Sequence, residues 1–156
     1  TTAVNLSACL AAAEKKTLLL DMDPQANATS GCGIEMEEDT SSIYEVLLQE
    51  QPFKNIIKET KVPYLSIAPS HISLTGAEVE MVSIISREQR LKSAISKIRD
   101  DYDFVIIDCP PSLGLLTLNA LTGSDPSNVN IMHLKDWGNC SIHCVWCSAT
   151  STRSYK

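Results

Sequence analysis

No stretch of this 156-residue chain stays apolar for the 18 or so residues that a membrane-crossing helix needs, so no spanning segment is expected. There is no signal peptide and no initiator methionine, and Thr1-Thr2-Ala3-Val4-Asn5-Leu6 reads as the inside of a helix; the chain is read as a fragment. Positive charge is in short supply, with 13 Lys and Arg against 19 Asp and Glu and a formal charge of −6. That balance excludes the chain as a whole from acting as a nucleic-acid-binding surface. What is present is 44% hydrophobic residues, enough for one domain with a real core.

Two apolar runs dominate that content. Thr17-Leu18-Leu19-Leu20-Asp21 leads into Met22-Asp23-Pro24-Gln25-Ala26-Asn27, and Phe104-Val105-Ile106-Ile107-Asp108 leads into Cys109-Pro110-Pro111. Each reads as a buried parallel strand that ends on a carboxylate at the carboxyl edge of a sheet, where open α/β folds bind ligands. Around them, residues 3–14 read as a helix with a basic end, and 22–42 as a turn-rich stretch with an acidic run at 35–39. Residues 42–49 read as a short helix with Ser42 as cap and Glu45 three residues on, and 52–60 as another. Residues 64–69 alternate as a strand, 73–82 and 87–99 have helical spacing, and 113–121 follow as a helix. This alternation of helices and strands predicts an α/β domain with a mostly parallel sheet flanked by helices.

The carboxylates suggest phosphoryl chemistry, which needs positioning and charge neutralisation more than covalent catalysis. Magnesium takes oxygen ligands and keeps several waters. Asp108, closing an apolar strand, has the character of a residue that holds such an ion through water. If the first strand persists, Asp21 and Asp23 share a face; if it turns after Asp21, Asp23 sits on the loop and can reach an attacking water. The bland reading of Asp23-Pro24 is an Asx-turn or a helix N-cap.

Asp21-Met22-Asp23-Pro24-Gln25-Ala26-Asn27-Ala28-Thr29 resembles the D-x-D-P-Q-G-N-A-T segment of the ParA/Soj-type partition ATPases, a P-loop NTPase family that also includes MinD. Asp103 to Gly114, Pro69-Ser70, Gly76 to Glu80 and Ser86-Arg87-Glu88 resemble the same branch, and the likeness runs over residues 1–125. The resemblance implies ATP and Mg2+ as cofactors, with Asp23 as the catalytic residue acting on the hydrolytic water and Asp21 and Asp108 supporting magnesium. It implies that Thr1 and Thr2 lie by the phosphates and that Pro110, Pro111 and Ser112 form a switch sensing the γ-phosphate. Its deviant Walker A loop, K-G-G-V-G-K-[ST], does not occur in these residues, so the domain is expected to be incomplete and this chain poorly active. Ala26 stands where the family has glycine; if φ there is positive, alanine costs about 1 kcal/mol and shifts Asp23. Implied partners are a ParB-type centromere-binding protein, non-specific DNA and a second copy in an ATP-dependent homodimer. No membrane partner is implied, and the setting is cytoplasmic, nucleoid-associated in the parent family. A non-catalytic nucleotide-binding or regulatory module is the alternative.

Residues 126–156 change character, carrying +2 against −8 for the rest, and hold three of six cysteines. Cys140, Cys144 and Cys147 fit C-x3-C-x2-C, which by itself suggests an iron–sulfur or zinc module. A cluster loop with only nine residues after it fits that poorly, and these cysteines are read as no site. Permitted codons for 126–156, taken one frame over, encode strings that resemble the partition family's own sequence beyond the counterpart of Ser124-Asp125. The tail is therefore expected to be aberrant, frameshifted and poorly ordered. Cys9, Cys32 and Cys109 read as ordinary thiols of a cytosolic protein.

Overall fold

A computed structural model describes residues 2–37, 39–110, 112 and 114–124, together with the backbone of 144–149. Helix α1 (Thr2–Ala12) leads into β1 (Thr17–Asp21), whose five residues are all buried. A short α2 (Asn27–Gly31), α3 (Ile43–Leu48) and α4 (Phe53–Ile56) follow, then β2 (Lys58–Glu59), β3 (Leu65–Ala68), α5 (Leu74–Glu80), α6 (Arg90–Ile95), β4 (Phe104–Cys109) and α7 (Leu115–Gly123). The backbone of Cys144–Ala149 forms β5.

The sheet order is β2-β3-β1-β4-β5. The three central strands, β3, β1 and β4, are mutually parallel, and both edge strands run antiparallel. This is the α/β, mostly parallel architecture that the apolar runs predict. Alternate residues of the strands feed two cores. Leu18, Leu20, Val105 and Ile107 pack on the side of α3, α5, α6 and α7. Leu19, Ile67 and Ile106 pack on the side of α1 and α2 with Ala3, Ala11 and Ala28. Burial on both faces explains why β1 reads as a continuous apolar run rather than an alternation.

Local signals account for most boundaries. Ser42 and Glu45 close a capping box on α3, the Ser42 N–H donating to Glu45 Oε2 at 2.7 Å. Lys16 pins the starts of two strands: its N–H donates to the Asp103 carboxylate at 2.9 Å and its carbonyl accepts from Asp103 N–H at 2.8 Å.

The structure departs from the sequence pattern in four places. The turn-rich 22–42 stretch holds α2. The helix expected over 52–60 stops at Ile56 and gives way to the two-residue β2. The helix expected over 87–99 is a regular helix only at Arg90–Ile95, flanked by 3-10 turns at Arg87–Gln89 and Arg99–Asp101. Residues 144–149, for which the sequence pattern offers no strand, form the backbone of β5 along the outer edge of β4.

Candidate functional site

The parallel register sets Asp21 directly opposite Asp108, so both side chains leave the same face at the carboxyl ends of adjacent strands. The ladder continues one step further, with Met22 N–H donating to Asp108 C=O at 2.7 Å. Helix α1 packs on that face. Its first turn lies at the same edge, where Val4 Cγ2 comes within 3.5 Å of a methyl built on Gly31. The start of α1, including Thr2, is thus brought to the strand ends that carry the carboxylates.

Asp21 is wholly buried. Its Oδ2 accepts from Thr29 N–H at 2.8 Å and Thr29 Oγ1–H at 2.7 Å, and its Oδ1 accepts from Asp23 N–H at 3.1 Å. Burial pushes its carboxyl above the ordinary range, and the bonds from Thr29 and Asp23 pull partly against that. Thr29 Oγ1 in turn accepts from Ser70 N–H at 3.0 Å, so one hydroxyl joins the loop after β1 to the loop after β3. Asp21, expected to support magnesium, therefore lies beneath the site with its oxygens engaged by the loop.

The strand turns after Asp21, which leaves Asp23 half-buried on the loop. Its Oδ1 accepts from Gln25 N–H at 2.9 Å, an Asx-turn, and its carbonyl accepts from Ala26 N–H at 2.9 Å. Its second carboxylate oxygen accepts no hydrogen bond among the described residues. The bland reading of Asp23-Pro24 is thus present, and it aims the carboxylate rather than consuming it. Ala26 has φ 52 and ψ 33, the left-handed region that favours glycine.

Asp108 is 7% exposed at the end of β4. After it the buried Pro110 accepts from Ser112 N–H at 2.8 Å, and the exposed Ser112 offers its carbonyl to Thr117 Oγ1–H at 2.6 Å. Among the described residues no three His, Cys, Asp or Glu side chains form a ready-made metal cage. The donor set is hard oxygen only, Asp108 with Asp23 nearby in the fold. That fits magnesium, which draws much of its shell from water and phosphate. A cavity of ≈ 600 Å3 opens beside the loop between Pro24, Ala26, Thr29 and Ser70-His71. Neither Asp23 nor Asp108 lines it, so it flanks the carboxylates and is distinct from them.

Thr1, Pro111 and Cys140 lie outside the described residues, and of Cys144 and Cys147 only the backbone is described. Sequence reasoning missed Thr29, whose only signal is its place in the Asn27-Ala28-Thr29 run. It also missed Glu78 and Asn119. Asn119 is wholly buried on α7; it donates to Arg87 C=O at 2.9 Å and accepts from Leu91 N–H at 3.1 Å.

An open, mostly parallel sheet with carboxylates at adjacent strand ends and a helix start beside them defines the α/β class of domain that binds ligands at the carboxyl edge of its sheet. A family model described as an AAA domain matches residues 1–139. Over 125 residues the chain is 54% identical to the sporulation initiation inhibitor protein Soj of Bacillus subtilis, covering 80% of this chain and 49% of that one. It is also 54% identical to the chromosome partitioning protein ParA of Myxococcus xanthus, covering 80% and 44%. Cobyrinic acid a,c-diamide synthase of Mycobacterium smegmatis, solved with an ATP analog and magnesium, superposes with a TM-score of 0.74 at 39% identity, over 78% of this chain and 50% of that one. A plasmid partition protein of Borrelia burgdorferi bound to AMPPNP superposes with a TM-score of 0.69 at 29% identity, over 80% and 53%. The chain belongs to the ParA/Soj-type family of partition ATPases. It spans about half the length of the curated relatives it matches.

Proposed function

We propose that these residues form the catalytic and switch half of an ATP-hydrolysing DNA-partition protein. The observation that carries the reading is the Asp21–Asp108 register pair at the strand ends, with Asp23 on the loop that Asp21 holds. Bound magnesium would neutralise phosphate charge, and Asp108 would hold it, largely through water. Asp23, with an Asx-turn fixing one oxygen and the other left for solvent, orients the attacking water and takes its proton. Asp21 supports the site from beneath by fixing Asp23 N–H and Thr29. Thr1 and Thr2 meet the phosphates. Pro110, Pro111 and Ser112 sense the γ-phosphate. In the intact protein the products of this site would be ATP-dependent self-association, non-specific DNA binding and response to a ParB-type partner, in the cytoplasm. Among the described residues no helix is long and apolar enough to cross a membrane.

The test is ATP binding and turnover by the 156-residue chain. No Gly-Lys-Thr/Ser phosphate loop occurs among these residues, so slow turnover is expected. Asp23→Ala should leave ATP binding within about twofold and abolish the residual magnesium-dependent turnover, since it removes a group used mainly in the transition state. Turnover unchanged in Asp23→Ala would overturn the assignment.

A further inference from the structure

The start of α7 is capped from another helix. Glu78, half-buried on α5, accepts from Leu116 N–H through Oε1 at 3.1 Å, across 38 residues of sequence. No side chain of α7's own N-cap does this, because the N-cap is Gly114. Gly114 has φ −79 and ψ −177, a conformation open to any residue, so its backbone gives no reason for glycine. The reason is space: a methyl built on Gly114 would stand 2.2 Å from Glu78 Oε1 and 3.1 Å from Cδ. An alanine at 114 is admitted only if the Glu78 carboxylate swings off the Leu116 N–H.

The capped turn is tied to the switch residues. Thr117, one residue past the capped amide, donates its hydroxyl to Ser112 C=O, and Ser112 N–H bonds Pro110 C=O. Helix α7 is further fixed at mid-length by Asn119. Glu78 thus sits at the one end of α7 that adjoins Pro110 and Ser112. A carboxylate at that position also satisfies the helix start and its partial positive charge, so the start of α7 is already occupied by an internal anion.

We propose that Glu78 is a positioning residue for the γ-phosphate sensor. It holds the first turn of α7, and through Thr117 it holds Ser112 and Pro110 in the arrangement that reads a triphosphate; Gly114 is glycine to admit it. The proposal rests on the nucleotide reading given above.

The experiment compares ATP and ADP affinity, and amide exchange at Leu116, in the full chain and in four variants. Glu78→Ala should speed Leu116 exchange about tenfold, the scale of a lost helix cap. It should lower the ATP-to-ADP affinity ratio by a similar factor while leaving ADP affinity within about twofold. Gly114→Ala should do the same with Glu78 intact, and the double variant should be no worse than either single change. Glu78→Gln, which keeps an acceptor oxygen, should restore most of both readouts. A wild-type chain that binds neither nucleotide overturns the nucleotide reading and this proposal with it, and one that binds both without preferring ATP overturns the proposal alone. A wild-type preference that survives Glu78→Ala and Gly114→Ala overturns the proposal alone. Faster exchange with an unchanged affinity ratio also overturns it, because the cap would then be purely structural.

Discussion

Thr29 closes over the Asp21 carboxylate, giving the same oxygen its backbone N–H at 2.8 Å and its hydroxyl at 2.7 Å. The hydroxyl also accepts from Ser70 N–H, so it satisfies one buried acceptor and one buried donor at once. Thr29→Val keeps the volume, strands the Ser70 N–H and leaves Asp21 Oδ2 with the backbone N–H of residue 29 alone. It should destabilise the fold by about 2 kcal/mol, because one buried donor is left unpaired and one carboxylate hydrogen bond is lost. Thr29→Ser should retain most of that. Urea denaturation of the three proteins gives the comparison.

The buried Asp21 has a pH signature. Its folded carboxyl lies above the ordinary 3.8, with burial as the main cause. The folded state therefore holds the proton more tightly than the unfolded chain, and the contribution of Asp21 to stability falls as pH rises from 3.8 through the raised value. The stability difference between wild type and Asp21→Asn should shrink across that window and be flat above it. A difference that grows with pH there would mean that the Thr29 and Asp23 bonds outweigh burial.

Ala26 in the left-handed region predicts that Ala26→Gly stabilises the fold by about 1 kcal/mol. The gain should appear as a higher denaturation midpoint with an unchanged slope.

Ser7 is wholly buried on α1, and its hydroxyl has no hydrogen-bond partner among the described residues. Ser7→Ala should leave stability unchanged or raise it by about 1 kcal/mol, since it removes an unpaired polar group and favours the helix. A loss of stability would show that the hydroxyl has a partner.

How far these features were legible in the sequence depends on the range of the interaction that makes them. Asp21 and Asp108 were visible because a doubly covered strand must be apolar and its last residue marks the sheet edge. The Ser42–Glu45 box was visible because its partners are three residues apart. Helix α2 was not, since five residues with no apolar period form a helix only because Asp21 and Ala26 set its start. The two-residue β2 exists only by pairing with β3, and nothing in Lys58-Glu59 itself favours a strand. Helix α6 starts later than its spacing suggests, and Asn119, 28 residues on, takes the amide of Leu91 at its first turn. Glu78 stands in the Gly76 to Glu80 stretch that resembles the partition branch, with no role attached, and only the fold brings it to Leu116. The role of Asp21 changed for the same reason: spacing gave its strand face, and Thr29 decided what its oxygens do.

The tail expectation has a test outside the structure. The coding sequence beyond the codon for Asp125, read one frame over, should encode residues that align with partition ATPases. A coding sequence whose shifted frame is interrupted by stop codons contradicts the frameshift.

Whether these strand-end carboxylates serve a magnesium–nucleotide site is decided by calorimetric titration of the chain with ATP, with and without magnesium, in wild type and Asp108→Asn. Binding should require magnesium and should weaken at least about tenfold in Asp108→Asn, as the proposed magnesium role of that carboxylate requires. Binding indifferent to both magnesium and the Asp108 substitution would contradict the assignment.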